Sequence, residues 1–117
     1  MDTMSIIEAA GRNGQIHFDG KTVTIRREGF FGRAGHGRGE KMIPIRQIAG
    51  VQMKPSGALT NGFIQLAVPG EISTTKALKG GRTMDAANDE NAVIFTKKQQ
   101  PQFEALRDAI RDAVAAL

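Results

Sequence analysis

The 117-residue chain has no cysteine, no tryptophan and no tyrosine. Without cysteine there is no disulfide, no thiolate nucleophile and no cysteine-ligated zinc. A reducing compartment such as the cytoplasm fits that composition. Six phenylalanines are the whole aromatic complement, too few for a base-stacking platform. No helix-turn-helix pattern is present either, so nucleic acid is disfavoured as a partner. No apolar run approaches the roughly 18–20 residues of a membrane span. The start of the chain carries Asp2 and Glu8 and does not read as a signal peptide. One intracellular domain is the expectation.

Catalytic chemistry is equally short of material. There are two histidines, His17 and His36, and neither falls in a Ser/His/Asp set or a metal-ligand spacing. Asp85, Asp89 and Glu90 cluster, but without calcium-loop spacing. Acidic turn residues that cap and solubilise are far commoner. No enzyme activity, no cofactor and no metal are expected.

What the chain does have is unevenly placed positive charge. The net charge is +4, and residues 21–54 alone hold eight Lys/Arg against two Glu. A one-sided field of this kind suits an anionic partner. The plainer reading is a solvated basic surface.

Residues 4–10 read as one helical turn or an irregular arm, ended by Gly11, Asn13 and Gly14. Residues 15–19 alternate, with Ile16 and Phe18 on one face and His17 on the other. Asp19-Gly20 is a hairpin signal of type I′, answered by a strand over 22–28 with Val23 and Ile25 on one side. Residues 29–40 contain five glycines and read as a bulged loop. Further strands are expected over 41–45, with Pro44 at an edge or end, and over 50–54. Pro55, Ser56 and Gly57 turn the chain and Asn61-Gly62 reads as a second turn, followed by a strand over 63–68 with Ile64, Leu66 and Val68 inward. A weak strand over 71–77 and a loop over 79–90 follow. Residues 91–96 form a strand that is apolar on both faces and so buried on both.

The last element is a helix over about 99–117. Phe103, Leu106, Ile110, Ala113 or Val114, and Leu117 recur on one stripe. Glu104 with Arg107, and Asp108 with Arg111, are spaced as outer-face pairs. Two starts are open: Thr96 with Gln99 resembles a capping box, whereas Pro101 prefers the first helical turn and moves the start toward Gln100. Seven short antiparallel strands argue a sandwich or barrel, and a one-stripe helix must bury that stripe against the sheets.

Seven stretches also carry a family resemblance: G-x-I-x-F-D-G at 14–20, G-F at 29–30, K-x-I-P-I-x-x-I at 41–48, V-Q-x-K-P at 51–55, N-G-F-I-Q at 61–65, D-E-N-A-V-I-F-T at 89–96 and K-K-Q-Q-P-x-F-E-A-L at 97–106. On these the chain resembles the bacterial and phage pleckstrin-homology-like domain family of uncharacterised function. The resemblance covers residues 14–117, which leaves 1–13 as an N-terminal arm. It implies a mainly β fold, a seven-stranded bent barrel or sandwich capped by a C-terminal α-helix. Relatives often sit beside a short helical oligomerisation segment, and some assemble into rings. Here the sequence runs only to the capping helix, so self-assembly is expected from the barrel itself. The family has no catalytic residues to carry over.

Two functions follow as expectations. The first is a non-enzymatic protein-interaction or scaffold module that binds a protein partner or itself, with Phe30, Phe31, Ile6 and Ile7 as candidate contact residues. The alternative is a binder of an anionic ligand, a lipid headgroup or nucleotide-like phosphate, through the loop at 29–41. Backbone N–H groups in a glycine-rich stretch can form an anion nest, and arginine grips phosphate bidentately. Arg26, Arg33, His36, Arg38 and Lys41 are the candidates there. The stretch is not a P-loop. The usual phosphoinositide-binding loop between the first strands is here only Asp19-Gly20-Lys21.

Overall fold

In the computed structural model, residues 6–27, 40–70 and 90–117 are described. Four strands, β1 (Ile7–Ala10), β2 (Gly14–Phe18), β3 (Thr22–Arg27) and β4 (Glu40–Pro44), pair antiparallel in chain order. A single 3-10 turn at Ile45–Gln47 leads to a second sheet of β5 (Gly50–Lys54), β6 (Gly62–Ala67) and β7 (Ala92–Phe95), again antiparallel. The helix α1 (Gln100–Ala115) packs against β1 and β5, which are edge strands of the two sheets. Seven antiparallel strands in two sheets capped by a C-terminal helix result, an arrangement consistent with a pleckstrin-homology-like fold.

The core forms because alternate residues of each strand are apolar and face the opposite sheet. Ile16, Phe18, Val23, Ile25 and Ile43 come from the first sheet, and Val51, Ile64, Leu66, Val93 and Phe95 from the second. Phe103, Leu106 and Ile110 of α1 complete it. Each such side chain contributes about 1.5–3 kcal/mol through removal from water. The sheets are also joined by hydrogen bonds. Arg12 N–H donates to the Ile94 carbonyl (2.7 Å), and Ile94 N–H donates to Asn13 Oδ1 (2.8 Å). The β1–β2 turn is thereby fastened along β7.

Several expectations are corrected. The segment expected as a helical turn or arm supplies β1, in register with β2 through Ile7–Phe18 and Ala9–Ile16. Ala9 is small enough to enter the core while Glu8 faces out, and that alternation makes a strand. At the first hairpin the central pair is Gly20-Lys21. Only Gly20 has positive φ (97°), the sign pattern of a II′ turn and not of I′. Asp19 closes the turn with its side chain: Oδ1 accepts the N–H of Lys21 (2.9 Å) and of Thr22 (2.8 Å). Those bonds, Lys21 first, hold its carboxyl below the ordinary value.

Asn61-Gly62 is not a second turn pair. Gly62 is already in β6, opposite Phe95, and the connection spans residues 55–61. A Cβ at Gly62 would lie 2.6 Å from Phe95 Cε1 and 2.7 Å from the Ser56 nitrogen, so this glycine serves close packing. β6 is buried on both faces, beyond its expected inward set. Its outer residue Phe63 joins Ala92 and Ile94 in a second apolar cluster. β7 is buried on both faces, as its two-sided apolar sequence implied.

Leu117 lies past the helix end and is 67% exposed, outside the buried stripe it was assigned to. Arg107 pairs with the adjacent Asp108 (3.0 Å), and Glu104 accepts from Gln100 Nε2 (2.9 Å), in place of the expected i,i+3 pairs. Of the two candidate starts, the later one is observed, at Gln100. Thr96 and Gln99 exchange backbone-to-side-chain bonds at 2.9 and 3.3 Å one turn upstream, and Pro101 sits in the first helical turn. The strand expected at 71–77 lies outside the described residues.

Candidate interaction surface

The outer face of the four-stranded sheet is built from residues that alternate with the core set. Register aligns them in two rows across the strands. One row is Glu8, His17, Thr24 and Met42, and the other is Ala10, Gln15, Arg26 and Glu40. The rows floor a shallow cavity of about 350 Å³. A hydrogen bond and an ion pair tie its strands: Glu8 Oε2 lies 3.0 Å from His17 Nδ1, and Arg26 Nε donates to Glu40 Oε2 at 2.8 Å. At this exposure the ion pair contributes roughly 0–1 kcal/mol. Glu8, His17 and Thr24 fall in the order acid, imidazole, hydroxyl. No hydrogen bond joins Thr24 to His17 among the described residues, however, so the row lacks the nucleophile–base contact of a hydrolytic set. Met42 is the apolar member, 65% exposed on the edge strand β4.

The candidate anion-binding residues do not converge where they are described. Arg26 and Lys41 are neighbours in register but of opposite parity: Arg26 pairs Glu40, and Lys41 pairs Ile25. They therefore leave the sheet on opposite faces. Lys41 Nζ donates to Glu90 Oε2 at 3.1 Å and so links β4 to the turn before β7. Arg33, His36, Arg38, Phe30 and Phe31 lie outside the described residues. Ile6 is 60% exposed at the start of β1, whereas Ile7 packs on the core. Of these two isoleucines only Ile6 is offered as a surface contact.

The sequence reading passed over Met42 and Glu8. Their signal was the alternation of 7–10 and 40–44. Over 7–10 it was hidden because a four-residue run fits a helical turn as well as a strand, while 41–45 was expected as a strand whose outward residues only the pairing with β3 fixes. Among the described residues no group of three or more His, Asp or Glu is placed to hold a metal ion. No helix among them is long and apolar enough to cross a membrane.

Residues 16–111 match a family described as Domain of unknown function (DUF4429). The chain belongs to the DUF4429 family. The match runs from within β2 to the last turns of α1, so it takes in β3–β7 and most of β2 and α1, with β1 lying before it. No curated protein and no solved structure matches the chain.

Proposed function

We propose that this DUF4429 domain is a non-enzymatic, pleckstrin-homology-like interaction module of the cytoplasm, and that its first partner is a second copy of itself. The observation behind this reading is the edge of β4 that no strand among the described residues pairs. Ile45 N–H donates to the Lys21 carbonyl (2.8 Å). In an antiparallel ladder hydrogen-bonded pairs alternate, so residues 41, 43 and 45 turn their backbone toward β3 and Met42 turns its own away. Met42 thus presents a backbone donor, a backbone acceptor and an exposed apolar side chain at one point.

Such an edge invites another strand. A second β4, added antiparallel across Met42, brings the two methionines side by side and uses both amides. Pro44 has no N–H to give, and the chain leaves the strand at Ile45, so the added ladder is short. A short ladder makes a reversible, concentration-dependent association.

Size-exclusion chromatography with light scattering, run over a range of protein concentrations, tests this. The expected result is a rise in mass with concentration that Met42→Lys abolishes and Met42→Leu preserves. A monomer at every concentration, or an oligomer indifferent to Met42→Lys, would sink the reading.

A further inference from the structure

The most exposed large apolar residue among those described is Leu59, at 96%. It sits in the connection over 55–61, which carries no charged residue. That connection is held in place. Gly57 N–H donates to the Thr60 carbonyl (2.9 Å), and the backbone N–H and hydroxyl of Ser56 both donate to Gln100 Oε1 at 2.8 Å. The Ser56–Gln100 bonds bring the loop against the segment that begins α1. Two and three residues before Gln100 stand Lys98 and Lys97, both exposed. Arg12, also exposed, is bonded through its backbone to Ile94, just upstream of that segment.

The described charges at this end are mostly basic, with Glu104 the acid beside Gln100. Residues 41–70 and 91–103 contain no Asp or Glu, nor do residues 9–18 around Arg12. Within these stretches, residues 50–54, 62–67 and 92–95 form the second sheet, 55–61 and 96–99 adjoin it, and the β1–β2 turn at 11–13 is fastened to it. Arg12, Lys97 and Lys98 take part in no ion pair among the described residues.

We propose that this end of the three-stranded sheet, with Leu59 at its tip and Arg12, Lys97 and Lys98 around it, is a docking surface for an anionic lipid bilayer. The surface is separate from the β4 edge. Lysines are hydrated point charges on flexible stems, suited to a diffuse anionic plane and not to one shaped phosphate. A protruding aliphatic side chain gains by entering a soft apolar layer. A nucleic acid would call for aromatic stacking, which Leu59 does not offer. One apolar residue and three cations give weak, reversible attachment that falls with salt. Attachment strengthens if several copies are presented together.

The test is co-sedimentation of the full chain with phosphatidylcholine vesicles, with and without phosphatidylserine, at low and at physiological salt. The protein is expected to sediment with the anionic vesicles and to stay in solution with the neutral ones. Lys97→Glu with Lys98→Glu should lower partitioning by about 25-fold or more, at about fivefold per lysine. Leu59→Ser should lower it by about tenfold at physiological salt. All the side chains changed are exposed, so both variants should keep the wild-type melting temperature. No sedimentation with anionic vesicles at low salt would overturn the proposal, as would partitioning unchanged by the lysine reversals. If Leu59→Ser binds vesicles like wild type and the lysines bind soluble heparin equally well, the surface is a plain polyanion site and the lipid assignment fails.

Discussion

Phe95, the last residue of β7, stacks on Phe103 in the first turn of α1, with ring centroids 4.8 Å apart and planes inclined by 22°. Both are fully buried. The contact couples the strand to the helix that follows it and sets where the cap lands. Phe103→Ala removes the stack and leaves a cavity between the sheets. A loss of about 3–5 kcal/mol in unfolding free energy is expected from urea denaturation. Phe103→Leu should recover a large part of it.

Gly62 should tolerate no side chain. Its added Cβ would press on the Ser56 nitrogen, the Phe95 ring and the Lys54 carbonyl oxygen. Two of these atoms are backbone and cannot swing aside. Gly62→Ala is therefore expected to cost about 1–3 kcal/mol. Gly50→Ala is the control, because nothing lies within 4 Å of a Cβ there. It should leave the denaturation midpoint near that of wild type.

The Asp19 carboxylate accepts two backbone N–H bonds, and its pKa lies below the ordinary 3.8. Because the folded value is depressed, its contribution is fully present above the unfolded pKa. It is lost as pH falls through the lower, folded value. Asp19→Asn keeps an acceptor oxygen but cannot titrate. The difference in melting temperature between wild type and Asp19→Asn should be widest near neutral pH and close below about pH 3.8. A gap that stays constant down to pH 2 would contradict the assignment.

Thr96→Ala removes one half of the reciprocal pair that opens the turn into α1. A loss of about 0.5–2 kcal/mol is expected by thermal or urea denaturation. Gln99→Ala removes the other half and leaves the Thr96 N–H without its 2.9 Å acceptor. It should fall in the same range. The double variant should cost less than the sum of the two, because the bonds support one turn.

Much of the fold is legible in single residues. Ile16 and Phe18, Val23 and Ile25, and Phe103, Leu106 and Ile110 declare their periods, and each is buried. The features that were not legible are those that depend on a partner distant in sequence. Residues 7–10 make a strand because β2 supplies the ladder, and the four residues alone cannot show that. Asn61-Gly62 has the composition of a turn, yet Gly62 is a glycine because Ser56 and Phe95 crowd it. Arg26 and Lys41 look like one basic patch in the chain, and strand parity sends them to opposite faces.

The same division holds for the surfaces. The sequence by itself determined the class of the molecule: a cysteine-free, mainly β domain whose terminal helix must bury one stripe. Hydrophobic period and turn chemistry are local properties, so the residues themselves carry them. Only the tertiary structure decided which residues share a surface. It turned the Met42 backbone outward on an edge that no described strand pairs. It also gathered Leu59, Lys97, Lys98 and Arg12, from three separate stretches, around one end of a sheet. The physical reason is that a surface is fixed by pairing and packing between segments far apart in the chain, and no local pattern records which segments will meet.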